Sequence, residues 1–177
     1  MYFLKRFIKY YKPYKAVFFI DMFCAMIVSL VDLAFPQILN LLTNHLFTQN
    51  AELILKSLPW LGLGLLVMYI VRYLGRYYIA YQGHVMGARM ESDMRQELFD
   101  QYQRLSFSYY DQNNTGEMMS KLVSDLFDIS ELAHHGPENI FISILKIIGS
   151  FILLLLMNIP MTLILLAVTV LMLVFSV

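Results

Sequence analysis

Four long apolar runs divide this sequence. The first extends from Ala16 to Leu42 with Asp21 and Asp32 as its only charges. The second begins at Leu58, reaches Val71 and continues past Arg72. The third, Asn139 to Met157, carries only Lys146, and the fourth, from Ile159 to Val177, carries no charge at all. A helix needs about 20 residues to cross the roughly 30 Å of bilayer hydrocarbon. Each run is therefore read as a membrane span, at about residues 16–42, 58–78, 139–157 and 159–177. Composition agrees: 59% of the 177 residues are apolar and 15% are charged, against about 45–50% and about 25% in soluble domains. That balance excludes a disordered tail, a disulfide scaffold and an ordinary soluble enzyme. The expected fold class is all-α, a polytopic membrane helical bundle. The fourth run reaches Val177 without a basic anchor or polar tail, so the chain is read as part of a longer protein.

Charge placement orients the spans. Lys plus Arg and Asp plus Glu are equal at 13 each, so no net charge draws the chain to nucleic acid. Residues 1–15 hold Lys5, Arg6, Lys9, Lys12 and Lys15 with no acid, the connection from Thr43 to Ser57 holds only Lys56, and the turn Asn158–Pro160 holds no basic residue. Basic residues concentrate on the cytoplasmic side of membrane proteins. The N-terminus and the long middle segment are thus expected in the cytoplasm of a multi-pass cell-membrane protein. A cleaved signal peptide does not fit, because the first apolar run is too long and lacks a small-residue cleavage site. Residues 1–13 mix aromatics with Lys, as an interfacial helix does, and Pro13 ends that piece before the span domain, 14–177. Tyr10, Tyr11 and Tyr14 suit the inner interface and Trp60 the outer one. Cys24 has no partner for an internal disulfide.

Helical patterning does not stop at the membrane. Met86, Met90, Met94 and Leu98 recur every fourth residue, and Phe99, Tyr102 and Leu105 continue the stripe. Glu91–Arg95 and Asp100–Arg104 are i,i+4 ion pairs in the favoured order. From Pro59 to Arg104 the helix would measure roughly 70 Å at about 1.5 Å per residue. About 40 Å of it must then project beyond the bilayer core. A return helix starts after Asn113-Asn114-Thr115-Gly116, with Thr115 as expected N-cap and Glu117 in the first turn. Met118, Met119, Leu122, Leu126, Ile129 and Leu132 form its apolar stripe, and Pro137 is read as a kink. Residues 79–138 thus form an extension whose tip, Ser106 to Asn114, carries Phe107, Tyr109 and Tyr110 in a wet position. Exposed aromatic clusters mark contact sites.

Ionisable groups inside membranes are costly and usually face a bundle interior or a cavity. Asp21 and Asp32 lie three helical turns apart on one face, about 16 Å along the axis. With Lys146 as counter-ion they form a candidate cation-attracting stripe lining a translocation cavity. Glu131, His134, His135 and Glu138 cluster on a helix face, but a di-iron site needs a second Glu-x-x-His motif and two further Glu. The second motif is missing, so no metal site is expected, and His45 and His84 stand alone in the sequence. No nucleophile–base pair or paired catalytic carboxylates occur.

At the tip the sequence resembles a known family. Leu105, Tyr109, Tyr110, Asp111, Thr115, Gly116, Glu117, Met118, Met119, Ser120, Lys121, Leu122 and Asp125 resemble, in order, the first intracellular loop of ATP-binding-cassette (ABC) exporters with the type 1 transmembrane domain. The resemblance runs weakly through the first span and well from Tyr81 onward. It implies a bacterial multidrug- or lipid-exporter-like half-transporter. Ser106–Asn114 would be a coupling helix seated in a nucleotide-binding domain, supplied in cis or trans, with Phe107, Tyr109, Tyr110, Asp111, Thr115, Gly116 and Glu117 making the contact. A second half, as homo- or heterodimer, and a small hydrophobic or amphipathic substrate are implied as well. No G-x-x-x-x-G-K-[ST] phosphate loop occurs in the chain. The chain itself is therefore expected to carry no cofactor, with ATP and Mg²⁺ implied for the full-length transporter. The competing class is a stand-alone membrane scaffold or regulator that docks a soluble partner through the same tip.

Overall fold

The computed structural model describes residues 7–46 and 51–176, and helix dominates throughout. Residues 7–10 are helical, and a turn through Pro13 leads into α1, Lys15–Leu41, which closes in a π-helical turn, Leu42–Leu46. The remainder of the expected interfacial helix, residues 1–6, lies outside the described residues. Helix α2 runs unbroken over 53 residues, Ala51–Gln103, about 80 Å at ~1.5 Å per residue. It begins earlier and ends close to where the apolar and amphipathic patterns predict. The short α3, Phe107–Gln112, makes the tip. The return arm comprises α4, Thr115–Ser120, a π turn at Lys121–Asp125 and α5, Leu126–Met157. Helix α6, Ile159–Ser176, follows.

Among the described residues, three helices are long and apolar enough to cross a membrane: Lys15–Asn44, Leu55–Gln103 and Thr115–Met157. The fourth expected span is a shorter apolar helix, Ile159–Phe175, at the lower end of the ~17–25 residue spanning range. Asn158, in extended conformation, breaks the helix between α5 and α6. Its N–H donates to the Leu154 carbonyl at 2.9 Å, and its side-chain oxygen accepts from Met161 N at 3.1 Å.

Pro36, Pro59 and Pro137 all lie inside continuous helices. Each removes one i→i−4 bond, a loss that membrane helices tolerate where neighbours satisfy the freed group. The irregularity of the return arm falls at the π turn rather than at Pro137. There the Leu122 carbonyl accepts from Arg95 Nε of α2 at 3.1 Å. A side chain entering the backbone ladder is a recognised cause of such a bulge.

Helices α1, α2 and α5 pack on one another, whereas α6 touches α5. One core cluster joins Met86, Met90 and Met94 of α2 to Leu126 and Ala133 of α5, covered by Phe7, Tyr10, Tyr11, Tyr14, Val17 and Phe18. The buried part of the methionine stripe is thus the part beside the N-terminal segment. Toward the tip Phe99 and Leu105 are exposed, as are Met119, Ile129 and Leu132 on the return arm, whose buried line is Met118, Leu126, Ser130 and Ala133. A second cluster, Ala25, Val28 and Ile79, fills the seam between α1 and α2. Its spacing depends on Gly75, where a Cβ would stand 2.8 Å from Val28 Cγ2.

The N-terminal tyrosines are hydrogen-bonded to the arms. Tyr11 donates to the Ala133 carbonyl at 2.6 Å, Tyr14 to Asp93 Oδ2 at 2.9 Å, and Tyr10 to Glu97. The residues expected at the headgroup level therefore act as a strap across α2 and α5.

Candidate functional site

Three places hold the residues singled out by the sequence. The first is the tip. The arms leave Arg104 and Leu105 in a turn, Ser106 enters α3 in extended conformation, and Asn113 leaves it the same way. The aromatic trio does not share one fate. Phe107 is 90% exposed, an unusual position for a phenyl ring in water. Tyr109 is exposed on the same small helix and meets Tyr110 edge to face at 6.1 Å. Tyr110 is half-buried and its hydroxyl donates to the Tyr102 carbonyl at 2.5 Å, which ties α3 back to the end of α2. Asp111 is exposed.

The return helix is capped one residue earlier than the sequence suggests. Asn114, not Thr115, is the N-cap, with its side-chain oxygen accepting from Gly116 N at 2.9 Å, and Thr115 is the first helical residue. Asn and Thr both cap well, and two candidates in adjacent positions left the sequence unable to separate them. Glu117 pairs with Lys121 at 2.8 Å, and that hydrogen bond holds its carboxyl below the ordinary range. Thr115, Gly116 and Glu117 all face solvent.

The second place lies between the spans. Asp32 of α1 accepts from Arg72 Nε of α2 at 2.5 Å and from Lys146 Nζ of α5 at 2.7 Å, with Arg76 at 3.7 Å. Lys146 is thus the counter-ion of Asp32, as the sequence suggests, but not of Asp21. Three cations around one carboxylate leave the cluster net basic, which runs against a cation-attracting role for Asp32. As basic residues toward the end of the second apolar run, Arg72 and Arg76 read in the sequence as marking that span's edge. The position of Arg72 inside the apolar pattern of the second span was the signal that it belongs with Asp32 and Lys146. Beside this cluster is a cavity of about 350 Å³ lined by Val31, Asp32, Phe35, Leu65, Met68, Tyr69 and Arg72. A single pocket there joins apolar walls to a charged end.

Asp21 lies deeper in the protein than Asp32. It is 1% exposed and faces His134 and Glu138 of α5. Both of its carboxylate oxygens lack a hydrogen-bond partner. His84 of α2, isolated in sequence, stands against His134 and His135, with ring centroids at 5.1 and 5.2 Å.

Comparison with known proteins gives these positions a context. Residues 18–177 match the family described as the ABC transporter transmembrane region. The chain is 43% identical over 156 residues to an uncharacterized ABC transporter ATP-binding protein of Bacillus subtilis, a match covering 88% of this chain and 26% of that protein. A second such Bacillus subtilis protein is 26% identical over 164 residues, 93% of this chain and 28% of the relative. An ATP-dependent lipid A-core flippase of Idiomarina loihiensis is 32% identical over 130 residues, 72% of this chain and 21% of the flippase. The chain therefore spans about a quarter of the length of these relatives.

Proposed function

The chain belongs to the ABC transporter transmembrane region family, and from that premise we propose that it forms part of the translocation pathway of an ATP-driven exporter and couples to a nucleotide-binding domain through Ser106–Asn114. The observation that carries this reading is the tip itself. A phenylalanine with 90% of its surface in solvent sits at the far end of two packed helical arms. An aromatic ring held that way gains by burial in a partner, at about 25 cal/mol per Å² of apolar surface removed from water. Phe107, Tyr109 and Asp111 make the contact, while Tyr110, Thr115, Gly116 and Glu117 shape and start the helices that present it.

The arms act as a lever. Helix α2 passes without interruption from the ion cluster at Arg72 to the tip at Gln103. Methionine packing and the tyrosine strap couple it to α5. A displacement imposed at the tip by closure of the nucleotide-binding domains therefore reaches the membrane as a rigid-body shift of packed helices. ATP and Mg²⁺ belong to those domains, and a second transporter half completes the pathway. The N-terminus and tip lie on the cytoplasmic side, consistent with five basic residues and no acid before the first span. The transported molecule is small and amphipathic, with its apolar part against the walls contributed by Phe35, Leu65 and Met68 and its polar part near the Asp32 cluster.

Phe107→Ala in the full-length protein tests this proposal. Because the ring touches little in the chain, the variant keeps the melting temperature of the parent. Transport in proteoliposomes falls at least about tenfold, the loss of about 1.4 kcal/mol of coupling contact. Unchanged transport at unchanged ATP hydrolysis would contradict the coupling role.

A further inference from the structure

We propose that His84, His134 and His135 form a binding site for a divalent transition-metal ion of the zinc type at the root of the cytoplasmic arms, with Asp21 and Glu138 as its outer ring of charge. The three imidazoles come from two helices, His84 from α2 and the adjacent pair from α5. One ring nitrogen from each lies within 4.8 Å of the other two. Zinc–nitrogen bonds of about 2.0–2.1 Å place tetrahedral ligand atoms about 3.3 Å apart, so small side-chain rotations, chiefly of exposed His84, close the set. Three imidazoles with an open fourth position are a recurrent zinc arrangement.

Around these ligands stand the groups that such sites use to orient imidazoles and balance charge. His135 Nε2 lies 3.5 Å from Glu131 Oε2, and its Nδ1 lies 3.9 Å from Glu138 Oε2. His134 is within 4.8 Å of carboxylate oxygens of both Asp21 and Glu138. Both nitrogens of His134 and both oxygens of Asp21 are buried with no hydrogen-bond partner. A buried carboxylate without a partner costs several kcal/mol. His134 and Asp21, buried with their bonding capacity unused, converge with His84, His135 and Glu138 on one spot, where a cation would satisfy them. The two basic side chains that share the neighbouring cavity, Arg76 and Lys146, are turned to Asp32 instead.

The backbone is also shaped for the central imidazole. At Gly83 a Cβ would lie 1.7 Å from His134 Cε1, so any other residue at this position collides with the imidazole unless the ring moves. Glycine at this position lets α2 approach α5 with the His134 ring held between them. A bound ion would tie α2 to α5 where the arms leave the membrane, and would thereby oppose their relative movement.

Titration of the purified, chelator-stripped full-length protein with Zn²⁺ and Co²⁺ tests the site. The expected result is one Zn²⁺ per chain, visible d–d absorption bands of tetrahedral Co²⁺, and a melting temperature raised by Zn²⁺. His84→Gln and His135→Ala should each weaken Zn²⁺ binding at least about tenfold, and Asp21→Asn by about tenfold through loss of the outer charge. His84 is exposed, so His84→Gln keeps the fold and remains informative if His134→Ala does not express. Absence of saturable Zn²⁺ binding, or an isotherm unchanged in both His84→Gln and His135→Ala, would overturn the proposal. Neither readout depends on transport, so this failure is separable from failure of the coupling role.

Discussion

Lys146 Nζ lies 2.7 Å from Asp32 Oδ2, joining α5 to α1 across 114 residues of sequence. Arg72 takes the other carboxylate oxygen at 2.5 Å, so one aspartate ties together the three helices of the bundle. Asp32 is mostly shielded while both cations retain about a third of their exposure. The pairing is thus intermediate between a surface ion pair and a fully buried one.

Asp32→Asn should therefore destabilise the bundle by about 1–2 kcal/mol, discounted from the fully buried case for the solvent that reaches both cations. The loss should not depend on the charge of any transported molecule. Combining it with Lys146→Met should cost less than the sum of the two single changes, with a coupling of at least about 0.5 kcal/mol. Thermal melting of the four proteins in detergent measures the cycle. Strict additivity would mean that the contact contributes nothing.

Gly83→Ala should be among the most damaging small substitutions in the chain. The added methyl must displace the His134 imidazole or push α2 from α5, an overpacking cost of about 1–3 kcal/mol. His134→Ala vacates that space and should restore much of the loss in the double variant. Melting temperatures of the single and double variants decide it. A Gly83→Ala protein as stable as the parent would mean that the two helices separate easily here.

Tyr11→Phe removes only the hydroxyl that donates to Ala133 and leaves that carbonyl without this partner. The expected cost is about 1 kcal/mol, concentrated in the N-terminal strap. Hydrogen exchange should show faster amide exchange in residues 7–14 with the distal arms unchanged. Exchange that is uniform between the two proteins would show that the ring packing onto Phe7 and Phe18 suffices.

At the tip, the residue proposed to dock and the residue that anchors α3 are different ones. Tyr110→Phe loses the bond to the Tyr102 carbonyl and should loosen α3 by about 1 kcal/mol, whereas Phe107→Ala should leave α3 ordered. Limited proteolysis within residues 105–114 reads the difference, with faster cleavage expected only for Tyr110→Phe. Equal cleavage of both variants would remove the distinction.

Most of the architecture was legible in the sequence because bilayer thickness and helical rise are fixed lengths. Apolar runs of span length, followed by a methionine stripe at every fourth residue, leave long helices as the economical solution. The tip was legible through Phe107 and Tyr109, whose exposure contradicts their chemistry. Less legible were features that depend on which helices become neighbours. Arg72 reads as a span edge until Asp32 and Lys146 are placed beside it. His84 reads as a lone histidine until Gly83 brings α2 against His134. The N-cap at Asn114 and the π turn at Leu122 depend on local hydrogen bonds, and spacing alone does not rank such alternatives.

Docking of the α3 tip on a soluble nucleotide-binding domain, as proposed above, can be read at Phe107 itself. Photo-crosslinking from position 107 in the full-length protein, reconstituted in lipid, tests it most directly. The expected result is an adduct to the nucleotide-binding domain whose yield changes when ATP is added. Adducts confined to lipid or to the membrane helices, with none on that domain, would contradict it.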